Sequence, residues 1–260
     1  MTRVFVTGSS DGLGLMAAQL MARAGHRVLL HGRNAQRAAA ALAAVPGAEG
    51  AVAGDLSSIA ATRALADEVN SRGAFDAVIH NAGIGYQESS RGNTTDRLPP
   101  VFAVNSLAPY ILTALIAAPK RLIYISSGMH HGAAAMLDDL TWNRRRWNGS
   151  QAYAESKLYN VVLAFAVARH WPNVLANALE PGWVATKMGG RGAPDSLLEG
   201  AETQVWLATS EEPAVRVSGA YFRHKKRLAP NPRAQQRDVQ ERFLAECERL
   251  SGITLPEAPR

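Results

Sequence analysis

Cysteine is nearly absent from this chain, because Cys247 is the only one among 260 residues. A single thiol cannot form an internal disulfide, and this excludes the small secreted domains that depend on such bonds. Long apolar runs are absent too, since no stretch approaches the roughly 20 residues that cross a bilayer. The chain also starts without the basic segment and apolar core of a secretory leader. These absences predict a soluble, cytoplasmic protein without a membrane span.

Acidic residues are fewer than basic ones, 22 against 28, which leaves a formal net charge of +6. The basic residues cluster at 144–146 and 223–227. Neither cluster alternates with aromatic residues as a recognition module would, and most basic runs are solvated faces. We therefore expect no nucleic-acid partner. A positive field would instead help to steer an anionic cofactor to its cleft.

The chain contains a regular alternation of short apolar runs and helical segments. The runs predict strands at 3–7, 27–31, 50–53, 76–80, 122–126, 174–179 and 220–222. Helices fill most intervals and include the segments 13–24, 34–44, 151–171 and 234–250. Such alternation is typical of a parallel sheet covered on both faces. It predicts one α/β domain over 1–260, a doubly wound sheet of about seven strands, with a loop and helix appended at 223–260.

A glycine-rich turn, Thr-Gly-Ser-Ser-Asp-Gly-Leu-Gly at 7–14, follows the first predicted strand and precedes a helix. Glycines let the backbone approach a pyrophosphate, which binds at the positive end of the helix. The spacing differs from the commoner Gly-x-Gly-x-x-Gly pattern, and a plain surface turn is the alternative. The candidate phosphate-binding residues are Gly8, Ser10, Asp11, Gly12, Leu13 and Gly14.

Tyr153 and Lys157 are one helical turn apart, so their side chains share a helix face. A nearby cation lowers the pKa of a phenol from near 10 toward the working pH, which makes the tyrosine a usable proton donor and acceptor. Such a pair occurs by chance on many helices. Its position downstream of the glycine-rich turn makes this pair a specific indication of a catalytic site.

In this order the motifs resemble the short-chain dehydrogenase/reductase family, whose members have a single-domain Rossmann fold. The similarity covers roughly residues 1–222 and includes Asn105 and Ser127. The resemblance implies that Asp55 and Leu56 contact adenine. It also implies that further segments line the cofactor, namely Asn81, Ala82 and Gly83 after the fourth strand, and Pro181, Gly182, Val184 and Thr186 on the nicotinamide side.

The resemblance further implies a catalytic role for four side chains. Tyr153 would donate its proton to a carbonyl oxygen as hydride arrives. Lys157 would lower the pKa of Tyr153 and bond the nicotinamide ribose, and Ser127 would bond the developing alkoxide. Asn105 would hold a water that relays protons between Lys157 and solvent. Ser126 is the alternative to Ser127.

The 26 residues from Ser127 to Tyr153 resemble the retinol-dehydrogenase-like branch, as do Ser-Ser-x-x-His at 126–130 and Tyr-x-x-Ser-Lys-Leu-x-Asn at 153–160. Members of that branch reduce lipophilic carbonyls, and the related protochlorophyllide reductases reduce a C=C bond. We expect an apolar ketone or aldehyde, or the reverse alcohol oxidation. A C=C reductase and an inactive cofactor-binding regulator are the alternatives. Candidate substrate-pocket residues are Ile84, Tyr86, Met129, Trp142, Trp147, Trp183 and Met188.

The end of the second strand bears on the choice of cofactor. Gly32 stands where an NAD-dependent enzyme usually carries an acidic residue for the ribose hydroxyls, and Arg33 follows it. A guanidinium binds a 2′-phosphate bidentately, whereas a carboxylate would repel it. The sequence therefore predicts NADP(H) in preference to NAD(H). No metal is expected, because nothing supplies a third ligand beside His130 and His131.

The segment between Asn105 and Ser127 is several residues shorter than is usual in this branch. The missing residues fall around Pro119, at the end of a helix that commonly forms the dimer interface in the family. Pro109 would further perturb that helix, because proline removes a helical hydrogen bond. We therefore expect a monomer or a weak homodimer.

Overall fold

The computed structural model describes residues 1–258, which form one sheet of eight strands in the order β3-β2-β1-β4-β5-β6-β7-β8. Strands β1 to β7 are parallel, and β8 pairs with β7 in the antiparallel direction. The strands are β1 (Arg3–Val6), β2 (Arg27–Gly32), β3 (Gly50–Ala53), β4 (Ala77–His80), β5 (Arg121–Ile125), β6 (Leu175–Glu180), β7 (Ala220–Arg223) and β8 (Lys226–Leu228). The predicted doubly wound α/β fold is confirmed, with one strand more than expected.

Helices cover both faces of the sheet. They are α1 (Gly12–Arg23), α2 (Ala35–Ala44), α3 (Ile59–Ser71), α4 (Pro100–Phe102), α5 (Ala108–Leu115), α6 (Gly149–His170), α7 (Leu197–Thr209) and α8 (Arg237–Ser251). Helices α1, α2 and α7 pack on one face, and α3, α5, α6 and α8 on the other. Within residues 1–258, no helix has the combination of length and apolar character that spanning a membrane requires.

Strand β1 shows why the apolar runs become buried strands. Its side chains alternate between the faces of the sheet, so Phe5 enters one apolar core while Val4 and Val6 enter the other. All three side chains are fully buried. A strand with both faces covered needs a continuous apolar run, and that is the pattern in the sequence.

The strand that the sequence did not predict is β8, which forms a hairpin with β7. His224 and Lys225 make the turn, and both have positive φ, at 47° and 62°. A type I′ hairpin turn needs positive φ at both central residues, and the residues that usually indicate it in a sequence are Asn and Gly. Because the turn residues are atypical and β8 is exposed and polar, no pattern in the sequence indicated this hairpin.

Helix α8 is an integral part of the core, although the sequence suggested an appended segment. Phe243 on α8 stacks on Tyr159 of α6 with ring centroids 5.1 Å apart. The chain after α8 also packs on α5 and on the end of α6. The Tyr110 hydroxyl donates to the Ile253 carbonyl at 2.7 Å, and the Trp171 indole donates to the Pro256 carbonyl at 3.0 Å. The face formed by α5 and α6 is therefore covered by the chain's own C-terminal region.

A π-helical turn, Ala103–Leu107, joins α4 to α5 and contains Asn105. Pro109 lies in the first turn of α5. A proline there cannot donate to the carbonyl four residues earlier, which belongs to Asn105. The predicted perturbation by Pro109 thus coincides with a local π turn, a form found often at functional sites.

Candidate active site

The glycine-rich turn lies at the carboxyl end of the parallel strands, beside the N-terminus of α1. Gly8 has a φ of 62°, and a Cβ there would lie 2.8 Å from the Ala82 Cα. A Cβ on Gly14 would lie 2.5 Å from the Gly8 carbonyl oxygen. Both positions therefore require glycine, and Gly14 allows the close approach of helix and turn without lining the cleft itself.

Polar side chains from neighbouring strands hold this turn in place. The Asn81 amide donates to the carbonyls of Thr7 and Gly8 at 3.0 and 3.2 Å, and the Thr7 hydroxyl accepts from the Ala82 N–H at 3.0 Å. His31 bridges two segments, since its Nδ1 accepts from the Gly8 N–H and its Nε2 bonds the Gly54 carbonyl, both at 2.9 Å.

The His31 imidazole is neutral, because burial lowers its pKa and Nδ1 must accept a hydrogen bond. Sequence reasoning missed the supporting roles of His31 and Thr7. A histidine inside an apolar strand carries no spacing signal, so only the fold could reveal them.

A cleft of about 1130 Å³ runs along this edge of the sheet. This volume exceeds that of ordinary small-ligand pockets and suits a dinucleotide together with a substrate. All the predicted catalytic and cofactor-binding residues line the cleft except Gly14 and Asn105. Those that do are Gly8, Ser10, Asp11, Gly12, Leu13, Arg33, Asp55, Leu56, Asn81, Ala82, Gly83, Ser127, Tyr153, Lys157, Pro181, Gly182, Val184 and Thr186.

The cleft is basic at the end formed by β2 and α2. Arg33 and Arg37 line it, and Arg33 is exposed with no ion pair among residues 1–258. Gly32 packs against the first turn of α2 so closely that a Cβ would lie 2.6 Å from the Arg37 carbonyl carbon. An acidic side chain at position 32 would therefore force the helix to move.

Asp11 connects the two sides of the cleft mouth. Its carboxylate contacts Lys187, which lies in the segment after β6, and is 3.5 Å from the Arg37 guanidinium on α2. The hydrogen bond from Lys187 is the largest cause of the lowered pKa of Asp11. Lys187 and Arg37 were not found by sequence reasoning, because neither belongs to a motif.

Tyr153 and Ser127 meet at the opposite end of the cleft. Burial raises the pKa of Tyr153 to about 12, although a hydrogen bond with Ser127 acts in the lowering direction. Burial thus acts against the expected lowering of this pKa by Lys157, and that lowering stays a prediction. Burial has the larger effect here, and Lys157 Nζ lies 5.6 Å from the centre of the tyrosine ring. The Ser126 hydroxyl donates to the Lys157 carbonyl at 2.8 Å, so Ser127 is the freer of the two serines.

Lys157 is buried between α6 and β5. Its ammonium donates to the Ile125 carbonyl at 3.1 Å, and a Cβ on Gly83 would lie 3.1 Å from Nζ. Burial lowers the pKa of Lys157 to about 8. The absence of a side chain at Gly83 thus leaves Nζ accessible from the cleft, which it lines.

Asn105 lies behind the cleft wall. Its Oδ1 accepts from the Ile84 N–H at 2.8 Å, and its Nδ2 donates to the Ile84 carbonyl at 3.1 Å and to the Ser156 hydroxyl at 3.0 Å. The side chain therefore fixes the segment after β4 against α6. Its expected function in a proton relay stays a prediction.

The segment between Ser127 and Tyr153 is tied to the rest of the protein by polar contacts. His130 Nδ1 donates to the Ser127 carbonyl at 2.8 Å, and its Nε2 accepts from the Asn231 N–H at 3.1 Å. Burial lowers the pKa of His130 to about 4, so the ring is neutral. Across residues 1–258, no group of three or more potential metal-binding side chains comes together.

Five of the seven proposed substrate-pocket residues line the cleft: Ile84, Tyr86, Met129, Trp183 and Met188. Trp142 and Trp147 do not line it. Their rings contact each other at 5.3 Å in an apolar cluster beside Tyr153, and the Trp147 indole donates to the Glu88 carbonyl at 2.9 Å. These two tryptophans support the cleft wall from behind.

The parallel sheet, the glycine turn and the cleft at the strand ends define a dinucleotide-binding Rossmann protein. The model of the family described as short chain dehydrogenase matches residues 2–196. An uncharacterized oxidoreductase of Emericella nidulans is 46% identical over 98% of this chain and 99% of its own. Human retinol dehydrogenase 13 is 31% identical over 97% of this chain and 85% of its own.

Among solved structures, an uncharacterized protein from Mycobacterium paratuberculosis has a TM-score of 0.85 at 24% identity, covering 98% of this chain and 95% of its own. That likeness concerns the fold alone. The chain belongs to the short-chain dehydrogenase/reductase family, in its retinol-dehydrogenase-like branch. Membership makes it an oxidoreductase with a nicotinamide cofactor.

Proposed function

We propose that this protein is an NADPH-dependent reductase of an apolar ketone or aldehyde, which also catalyses the reverse alcohol oxidation. One observation carries the proposal: Tyr153, Ser127 and Lys157 line the same cleft as the glycine turn. Bound NADPH supplies the hydride. The protein must then supply a proton and hold the substrate oxygen.

Tyr153 suits the role of proton donor. A pKa of about 12 keeps its hydroxyl protonated at neutral pH, as carbonyl reduction requires. Ser127 faces the same oxygen position and would bond the charge that develops there. Lys157 would bond the nicotinamide ribose, and its positive charge would favour the tyrosinate form of Tyr153, which accepts the proton in the oxidation direction.

The basic end of the cleft supports NADP(H). Arg33 has no ion pair among the described residues and is free to bind a 2′-phosphate, and Arg37 lies beside it. The absence of space at Gly32 excludes the carboxylate that would bind ribose hydroxyls. The Arg33 guanidinium, which is unpaired within residues 1–258, and glycine instead of a carboxylate at position 32 fit the phosphorylated cofactor better.

The proposed substrate class follows from the lining at the catalytic end. Tyr86 contacts the Tyr153 ring at 5.6 Å, and Met129, Trp183 and Met188 add apolar surface. Similarity to a retinol dehydrogenase agrees with a lipophilic carbonyl. The cytoplasmic location expected from the sequence stays a prediction.

Replacement of Tyr153 by Phe tests the proposed chemistry. It removes the proton donor but keeps the ring and its packing. Turnover of any accepted ketone is expected to fall by about a hundredfold or more, the usual scale of general acid catalysis, with NADPH affinity kept. NADPH oxidation at 340 nm is the measurement, across ketones, aldehydes and quinones, with product analysis to detect C=C reduction. No turnover by the wild type across this panel would favour the inactive regulator.

Replacement of Arg33 by Asp tests the cofactor assignment. A charge-assisted bond to phosphate is worth about 1.5 to 3 kcal/mol, so NADPH affinity is expected to fall at least tenfold while NADH affinity changes little. Arg237→Asp carries the same charge change at an exposed site on α8 and is the matched control. Tighter binding of NADH than NADPH by the wild type would contradict the assignment.

A further inference from the structure

The catalytic end of the cleft contains a buried carboxyl group that has no partner within the protein. Glu180 is the last residue of β6, directly before Pro181, and its side chain lines the cleft. It is only 6% exposed, yet it makes no hydrogen bond or ion pair with any residue from 1 to 258. A buried carboxyl group without an ordinary hydrogen bond or ion pair is costly, so such a group requires an explanation.

Glu180 lies next to the catalytic segment. A Cβ on Gly128 would be 2.5 Å from Glu180 Oε2, and Gly128 follows Ser127 directly. A side chain at position 128 would therefore cover the carboxyl group. With glycine there, the carboxyl group stays open to the part of the cleft beside Ser127.

Two neighbours on β7 complete the surroundings of Glu180. Arg223 is opposite it in the strand register, also lines the cleft and is exposed. The buried Tyr221 hydroxyl approaches Glu180 but forms no hydrogen bond of ordinary length and angle within residues 1–258. Burial, followed by the nearby Glu180, raises the pKa of Tyr221. Neither neighbour forms an ion pair or an ordinary hydrogen bond with Glu180, so its carboxyl group remains open to the cleft that it lines.

We propose that Glu180 is a specificity-determining residue that accepts a hydrogen bond from a hydroxyl group on the substrate, apart from the carbonyl being reduced. The substrate is thus a largely apolar hydroxyketone or hydroxyaldehyde. This inference rests on the proposed function, because it names the substrate class of the same site.

A hydroxyl group fits this position better than a cationic donor. Lys187 and Arg223 both line the cleft, and the whole chain has a net charge of +6. A substrate ammonium group would have to approach through this positive field. A neutral hydroxyl avoids the repulsion and still forms a charge-assisted bond with the carboxylate.

Matched ketones test the proposal: 1-tetralone against its 5-, 6-, 7- and 8-hydroxy derivatives, and acetophenone against its three ring-hydroxylated isomers. Their dissociation constants are measured by calorimetry on protein saturated with NADP⁺, and kcat/KM is measured with NADPH. The wild type is expected to bind at least one hydroxylated isomer about tenfold more tightly than its parent, the lower range for a hydrogen bond to a charged group.

Glu180→Leu should reduce this preference to below about threefold, and Glu180→Gln should retain part of it, because an amide oxygen is a weaker acceptor. Binding of the parent ketone should change little in either variant. Glu202→Gln removes a half-buried carboxyl group on α7 that is paired with Lys225 and does not line the cleft, so it is the matched control and should keep the full preference. Melting temperatures confirm that each variant folds.

The inference is overturned if the wild type binds no hydroxylated isomer better than its parent. It is also overturned if Glu180→Leu weakens both members of every pair equally, since packing or cofactor binding would then explain the residue. Turnover without a hydroxyl preference defeats this inference alone. A Glu180-dependent preference without turnover of any ketone supports the hydroxyl subsite and defeats the proposed reductase function.

Discussion

The ammonium group of Lys157 is enclosed by protein, with only 3% of the residue exposed and one hydrogen bond, to a backbone carbonyl. Burial lowers its pKa from 10.5 to about 8. Each unit of such a shift corresponds to about 1.4 kcal/mol, so at neutral pH the charged lysine costs the folded state about 3 kcal/mol. The proposed catalytic role thus requires a charge that the fold itself disfavours.

Lys157→Met is therefore expected to raise the free energy of unfolding at pH 7 by about 2 kcal/mol, after allowance for the lost hydrogen bond. The unfolded lysine binds its proton up to about pH 10.5, the folded one only to about pH 8. The stability advantage of the Lys157→Met variant over the wild type should therefore shrink between about pH 8 and pH 10.5, and it should vanish at higher pH. Urea titrations from pH 7 to 10.5 measure this difference in the free energy of unfolding. The substitution Lys226→Met, at an exposed position, is the control. A variant less stable than wild type at pH 7 would contradict this account.

At the scale of elements, a buried ion-pair network anchors the segment before α6. Arg145 forms two parallel hydrogen bonds with Glu155 on α6, at 2.7 and 2.9 Å, and another with Asp139 at 3.2 Å. Its guanidinium lies 3.8 Å from the centre of the Trp142 ring. One member of the basic cluster at 144–146 is therefore structural, which its sequence context did not reveal.

Arg145→Ala should destabilise the protein by about 3 to 5 kcal/mol, because it leaves two buried carboxylates without their partner. Arg146→Ala, at an exposed neighbouring position, should change stability by no more than about 0.5 kcal/mol. Thermal and urea unfolding of both variants provide the comparison. Equal effects of the two substitutions would show that the network contributes little.

The elements themselves were largely predictable from the sequence. The first seven strands lie within a residue or so of their expected positions, because a doubly covered parallel strand needs an unbroken apolar run such as Val4 to Val6. The glycine turn and the Tyr153–Lys157 pair were visible because their spacing reflects local geometry. His31, Glu180 and Lys187 were not, because their positions depend on contacts between residues far apart in the chain.

At the scale of the whole molecule, the C-terminal region provides a second reason to expect a monomer or weak dimer. The first reason is the shortened segment before β5, from which the sequence predicts a monomer or weak homodimer. In the structure, α8 also covers α6, and Arg169 on α6 donates to the Gln240 side chain at 3.0 Å. A face that the chain covers itself has less apolar surface for a second copy.

Sedimentation velocity at micromolar concentration should therefore show a monomer, or a dimer that dissociates on dilution. A chain ending at residue 236 lacks α8 and should self-associate or aggregate, because the removed residues include the buried Phe243 and Cys247. The full-length Phe243→Ala variant is an intermediate case, expected to lose about 3 to 5 kcal/mol of stability. A tight tetramer of the wild type would contradict the prediction.

The position of α8 also has a consequence for synthesis. Residues 237–251 leave the ribosome after every strand of the sheet, yet they cover the helix that carries Tyr153 and Lys157. Translation proceeds at about 5 to 20 residues per second, so the apolar side of α6 stays open for seconds on a nascent chain whose sheet strands have all emerged. The core on this side of the sheet is therefore completed only after the whole sheet has been synthesised, and until then the apolar side of α6 is exposed on the nascent chain.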